Sequence, residues 1–364
     1  MLNWCGYPLW KILLLSSVSV VMMNVYLALR VIKLTQNEGR LLTVLQASQQ
    51  SYRLRMSETD QSLDLSPPPG ASPHKTSAST GNSSFANDGI INLCPEMPPN
   101  LVGALVVNME PVPFQDIERQ HPQIKPGGRF QPPNCKSRHH VAIIVPYRDR
   151  ESHLKVLLNN LHPMLERQQL DYTIYVVEMA MPTSFNRATL MNIGYIESLK
   201  DFDFQCFIFH DVDFIAENDN NMYTCRETPR HMASAIDKHN YKLPYSTALG
   251  GVVSLTKEHM IAVNGWSNMY FGWGSEDDDL RIRIYSKGLR VLRPSPEVGR
   301  YKMIKHQRDS TNQDNTGRGK LVKSVRQRMK TDGLNSVKYE LLKKEYRKLY
   351  TYIYVRVKEE ELMV

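Results

Sequence analysis

The sequence predicts an α/β fold with a mostly parallel central sheet, and three apolar runs separated by helical stretches carry that prediction. His140-Val141-Ala142-Ile143-Ile144-Val145-Pro146 is a short apolar run closed by proline, the pattern of a buried strand. Glu151 to Leu165 then places Leu154, Leu157, Leu158 and Leu161 at helical spacing, and Tyr172-Thr173-Ile174-Tyr175-Val176-Val177 follows as a second strand. Strand, helix and strand in succession close through a right-handed crossover, which makes the two strands parallel. A further helix over Arg187 to Leu199 leads to a third strand, Cys206-Phe207-Ile208-Phe209-His210.

Ligands of open α/β sheets sit beyond the carboxyl ends of the strands. The third strand runs out into Asp211-Val212-Asp213 and the first into Tyr147-Arg148-Asp149-Arg150, so acids and guanidinium groups are expected to meet at one sheet edge. Hard carboxylate oxygens at such an exit suit a divalent cation held against a diphosphate, although a bare Asp-x-Asp also occurs as a surface turn.

Trp273-Gly274-Ser275-Glu276-Asp277-Asp278-Asp279 sets four consecutive carboxylates behind an aromatic residue and a small-residue hinge. Crowded acids repel, and buried ones without partners neutralise or destabilise the fold. A cation, a sugar hydroxyl or a proton-transfer role would relieve that cost. The competing reading is a solvated cap on a helix beginning near Asp278 and running through Tyr285, because acids favour helix N-termini.

The amino-terminal segments have another character. Ile12 to Leu29 is apolar and uncharged, flanked by Lys11, Arg30 and Lys33, and is just long enough to span a bilayer. Tyr26-Leu27-Ala28-Leu29 offers no small-residue cleavage site, so residues 11–30 read as an uncleaved signal anchor. The flanking charges do not orient the span; the short tail at 1–10 is expected to be cytoplasmic. Residues 31–90 are rich in Gln, Ser, Pro, Gly and Asn, bury no core and read as a disordered stem, in which Asn82-Ser83-Ser84 is a glycosylation sequon. Residues 91–364 form the globular part.

A formal charge of +8 suits an anionic partner without choosing among nucleic acid, membrane and phosphate. No zinc-finger spacing, dinucleotide glycine fingerprint or phosphate-binding P-loop is present, so a nucleotide would need another grip. Cys5 precedes the span, while Cys94, Cys135, Cys206 and Cys225 follow it as an even set, which fits two disulfides in an oxidising compartment or four buried thiols.

Together, Phe185-Asn186-Arg187-Ala188, Asp211-Val212-Asp213, Leu243-Pro244-Tyr245, Gly250-Gly251-Val252, Asn264-Gly265, the block from Gly272 to Asp279 and Asp332-Gly333-Leu334-Asn335-Ser336 resemble the beta-1,4-galactosyltransferase family, from about Cys94 to Tyr354. The resemblance implies a GT-A glycosyltransferase fold in a single catalytic domain at 91–364, carried as a type II Golgi membrane protein with that domain in the lumen. The implied reaction is inverting transfer of a hexose or N-acetylhexosamine, Gal or GalNAc, from a UDP-sugar in beta-1,4 linkage to a GlcNAc-type acceptor on glycoproteins or glycolipids.

Inversion needs one general base on the attacking hydroxyl and stabilisation of the departing diphosphate. The resemblance makes Asp277 that base, with Glu276 and Asp278 positioning the sugars. It assigns manganese to Asp213, Met303 and His306, where spacing alone would leave Met303 a core methionine. UDP falls to Pro146, Tyr147, Arg148, Arg150, Phe185, Arg187, Val212 and Lys238. Trp273 would pack on the sugars from a mobile loop hinged by Gly272 and Gly274, with Tyr245, Gly274 and Arg318 beside the acceptor. It also pairs Cys94 with Cys135 and Cys206 with Cys225.

Three positions depart from the family pattern. Ala248 stands where vertebrate galactosyltransferases of this family carry a tyrosine that limits the space around the donor C2 substituent. The lost phenol leaves volume for an N-acetyl group, as in invertebrate members that use N-acetylgalactosamine. Arg318-Gly319 replaces an Arg-Phe pair that walls the acceptor's acetyl group, and Tyr301 replaces a free cysteine of some relatives. UDP-GlcNAc as donor, or a carbohydrate-binding member that lost catalysis, are the alternative readings; the second would show damage at Asp277 or in the metal set, and none is seen. A metal-dependent nuclease or phosphatase would show more acids converging on two metals, and leaves Trp273 and the stem unexplained.

Overall fold

The structure, a computed structural model, describes residues 92–305 and 312–363. Cys5, the tail, the anchor, Asn82 and the stem lie outside the described residues, as does His306. Among the described residues no helix is long and apolar enough to cross a membrane.

After a short helix α1 (Phe114–Gln120) and a two-residue strand β1 (Arg129–Phe130), the chain enters β2 (His140–Tyr147), α2 (Glu151–Arg167), β3 (Asp171–Met179), α3 (Arg187–Ser198) and β4 (Cys206–His210). These five elements stand where the sequence patterns place them, with β2, α2 and β3 somewhat longer. β2 pairs in parallel with both β3 and β4. Strand alternation then divides the core. Val141, Ile143, Val145 and Tyr147 pack on one side with Leu154, Leu158 and Leu161 of α2, while Ala142 and Ile144 pack on the other with Leu190 and Ile193 of α3. α3 lies close on the sheet because residue 194 is glycine: a Cβ there would come 2.4 Å from Ile144 Cγ2.

The sheet is mixed, not mostly parallel. Its order is β10-β11-β3-β2-β4-β8-β6, where β6 is Arg230–His231, β8 Val252–Thr256, β10 Glu340–Tyr346 and β11 Thr351–Arg356. β11 joins β3 in parallel, but β10 pairs antiparallel with β11, and β8 pairs antiparallel with β4 and with β6. The right-handed crossover rule governs only strands joined through α2 and α3. β8 enters through an irregular segment that reverses its direction, and β10 and β11 form a hairpin.

A small second sheet, β5-β9-β7, is built from Phe214–Ala216, Arg300–Met303 and Ala235–Ile236. Two disulfides brace the domain. Cys94–Cys135 closes the loops before β2, and Cys206–Cys225 ties the start of β4 to the loop that follows Asp211-Val212-Asp213. Helices α4 (Lys257–Val263), α5 (Glu276–Ser286), α6 (Arg318–Arg328) and α7 (Glu359–Leu362) complete the described chain.

Candidate active site

The carboxyl ends of β2 and β4, the start of α5 and the small sheet enclose one cleft of about 1360 Å³. From the β2 exit come Pro146, Arg148 and Arg150. Arg148 Nη1 donates to the Thr183 carbonyl at 2.9 Å, and its guanidinium lies 5.0 Å from the Phe185 ring centroid. Tyr147 is the exception in this group. Alternation turns its ring into the α2-side core, burial pushes its phenol up to about 12, and its side chain does not line the cleft. Phe185, Val212 and Lys238 do line it, the last from an exposed position on a 3-10 turn, Asp237–His239.

Arg187 opens α3, whose cap is Asn186 with its side chain accepting from Thr189 N. The guanidinium spans the cleft floor: Nε lies 2.5 Å from Asp211 Oδ1 and Nη1 lies 3.5 Å from Glu276 Oε1. It therefore joins the Asp-x-Asp to the acid run. Burial, offset by Arg187, pushes Asp211 up to about 6 and Glu276 up to about 7. Asp277 is also raised, first by burial and then by the neighbouring Asp278 charge.

Helix α5 begins at Glu276, two residues earlier than the sequence suggests, so all four acids occupy its first turn. The unpaired N–H groups there favour negative charge. The four then diverge. Glu276, Asp277 and Asp278 line the cleft, and Tyr245 donates its hydroxyl to Asp278 at 3.3 Å. Asp279 turns into the core, fully buried, where it accepts from Arg283 Nε at 2.5 Å, Arg328 Nη2 at 2.8 Å and the Tyr270 hydroxyl at 3.1 Å.

Trp273 stands on the cleft rim, 59% exposed, with its backbone paired to the 313–315 segment. Gly274 beside it has φ +113°, and a Cβ there would lie 2.8 Å from Arg318 Nη1. The Arg318 guanidinium in turn sits 5.5 Å from the Trp273 ring. Ala248 is a buried residue of the cleft wall, and two residues on, at Gly250, a Cβ would stand 3.2 Å from Asp277 Oδ2.

Two of the donors that the family resemblance assigns to a metal, Asp213 and Met303, meet at the small sheet. Phe214 pairs with Met303 across β5 and β9, and Ile304 N donates to Asp213 O at 2.8 Å, so Asp213 and Met303 reach the cleft side by side. A carboxylate suits a hard divalent cation, and Met303 brings a soft thioether next to it. Asp213 fits such an ion, Met303 stands beside it as a softer donor, and among the described residues no group of three or more His, Cys, Asp or Glu side chains completes the set.

Residues 94–226 match the family model described as the N-terminal region of glycosyl transferase group 7, and residues 230–307 match the model described as the N-terminal domain of galactosyltransferase. Beta-1,4-galactosyltransferase 4 of Cricetulus griseus is 46% identical over 263 residues, covering 72% of this chain and 76% of that protein. Beta-1,4-galactosyltransferase 1 of Mus musculus is 44% identical over 298 residues, covering 81% of this chain and 75% of that one. The chain belongs to the beta-1,4-galactosyltransferase family.

A solved member of that family is similar in structure. The Drosophila beta-1,4-galactosyltransferase 7, crystallised as a mutant with manganese, UDP-Gal and xylobiose, superposes with a TM-score of 0.52 at 29% identity, covering 60% of this chain and 94% of that one. The fold is GT-A-like, with the mixed sheet described above.

Within this beta-1,4-galactosyltransferase family member, the cleft also contains residues that the sequence does not single out. Asp237 Oδ1 accepts from Met303 N at 2.9 Å and so holds β9 beside Asp213. His231 reaches the Gly250 carbonyl at 2.8 Å. Single polar residues of this kind have no spacing to mark them. Only the folded register reveals them.

Proposed function

We propose that this protein transfers galactose from UDP-galactose in beta-1,4 linkage to terminal N-acetylglucosamine on glycoprotein or glycolipid glycans, with inversion at the anomeric carbon. The observation that carries this reading is Arg187 bridging Asp211 and Glu276, which joins the Asp-x-Asp and the acid run in one cleft.

In this reading the basic residues Arg148, Arg150, Arg187 and Lys238 attract and orient the UDP phosphates, as guanidinium and ammonium groups do elsewhere. Asp213, Met303 and His306 would hold manganese, which would supply charge neutralisation to the diphosphate leaving group. Glu276 and Asp278 hold sugar hydroxyls, and Trp273 covers the sugar faces with Arg318 and Gly274 beside it. Asp277 takes the proton from the acceptor hydroxyl as its oxygen bonds to the anomeric carbon and the bond to UDP breaks. Its raised pKa makes it a better proton acceptor than an ordinary surface aspartate.

Ala248 widens the donor side, so the enzyme accepts an N-acetylhexosamine at least as well as galactose. The anchor and stem read from the sequence at 11–30 and 31–90, with the two disulfides of the domain, support a Golgi membrane location. The deciding experiment is donor competition among UDP-Gal, UDP-GalNAc and UDP-GlcNAc with manganese and a GlcNAc-terminated acceptor. Turnover of UDP-Gal alone would refute the wider donor range. No transfer from any of the three would refute the activity.

A further inference from the structure

The wall that carries Ala248 is held from behind by an arrangement outside the acid and metal groups. Three of the four carbonyls from Ala248 to Gly251 accept identified hydrogen bonds: Ala248 O from Arg293 Nη2 at 2.8 Å, Gly250 O from His231 Nε2 at 2.8 Å and Gly251 O from Asp211 N at 3.0 Å. The two side chains are joined, because Arg293 Nε donates to His231 Nδ1 at 3.1 Å. Arginine only donates, so Nδ1 must accept and the imidazole proton must sit on Nε2, where it serves Gly250. His231 is fully buried, and its backbone N donates to Leu292 O at 2.8 Å, so both ends of the relay are fixed. Burial, with Arg293 beside it, brings the imidazole down to about 4, which keeps the ring neutral at neutral pH, and the Arg293 bond fixes the tautomer.

We infer that Arg293 and His231 are positioning residues for donor selection: they fix the backbone that bears Ala248, and through it the size of the sugar substituent the cleft admits. The inference rests on the reading of Ala248 as the donor wall. Arg293 acts at the Ala248 carbonyl and His231 at the Gly250 carbonyl. Since Gly250 abuts Asp277, the His231 end also sets the spacing to the base.

The test measures kcat and KM for UDP-Gal and UDP-GalNAc in the purified chain and in Arg293→Met, Arg293→Lys, His231→Gln, His231→Asn and Ala248→Tyr, with thermal melting alongside. His231→Gln retains a donor for Gly250, whereas His231→Asn retains an acceptor for Arg293. Arg293→Met is expected to change the ratio of kcat/KM between the two donors about tenfold, with Arg293→Lys recovering part of it. His231→Asn is expected to lower kcat with both donors, and His231→Gln to lower it less. Should Ala248→Tyr shift the donor ratio while Arg293→Met depresses both donors by one common factor, the relay is merely structural and the inference falls, with the donor-wall reading intact. Should Ala248→Tyr leave the ratio unchanged, the donor-wall reading itself fails and carries the inference with it. If Arg293→Met does not fold, Arg293→Lys decides on the same criterion: a changed donor ratio supports the inference, and one common factor for both donors overturns it.

Discussion

Arg187 contacts Asp211 and Glu276 with different nitrogens of one guanidinium, at 2.5 and 3.5 Å. Removing the cation leaves two acids facing each other across the cleft. Arg187→Met is therefore expected to lower stability by about 2 kcal/mol, the scale of a hydrogen bond to a charged group, and to lower kcat/KM more than 100-fold, on the order of 3 kcal/mol of lost transition-state binding. Arg187→Lys keeps the charge but not the fork and should fall between. Urea denaturation and steady-state kinetics on the same preparations check both figures.

Asp278 and Asp279 are neighbours with opposite fates. Asp279 and Arg283 are both fully buried, so Asp279→Ala removes one of the two carboxylates that pair with this guanidinium, leaving it Asp332, and should cost about 3 kcal/mol. Asp278→Ala should move stability by less than about 1 kcal/mol and appear as a higher acceptor KM. Equal melting temperatures for the two variants would contradict this division.

With Asp277 as the proposed base, the acid limb of the kcat/KM profile should lie above the ordinary aspartate range, because a base acts ionised and this pKa is raised by burial and then by Asp278. Activity is lost as pH falls through that raised value. Asp278→Asn removes the like charge and should move the limb to lower pH. Asp277→Asn should abolish turnover while sparing UDP binding, as measured by calorimetry.

Asp213→Asn and Met303→Ala should each raise the manganese concentration for half-maximal activity by more than about tenfold, the scale expected for altered metal sites. Asp237→Asn should raise it less, since Asp237 acts through the Met303 backbone. Chelation should stop turnover, and added manganese should restore it.

The segments legible in the sequence were those with local causes. β2, β3 and β4 are continuous apolar runs, and α2 repeats leucines, so burial on both faces of the sheet wrote them plainly. β10 is mostly exposed and charged, and β11 alternates buried with half-buried residues, so neither resembles the strands they join. The reversal of β8 is set by its pairing with β4, which lies far away in the chain. In the cleft, charge crowding marked Glu276 to Asp278, whereas Met303 was reached only through family resemblance. Asp237, His231 and Arg293 are ordinary residues until the fold brings them together.

The clamped wall at Ala248 to Gly251 separates two of the roles proposed for the cleft. Because its carbonyls are anchored from behind, the side chain at position 248 can be exchanged without displacing the neighbouring base. In the function proposed above, sugar preference and proton transfer then rest on separate side chains, and one substitution at position 248 changes the donor while Asp277 keeps its place.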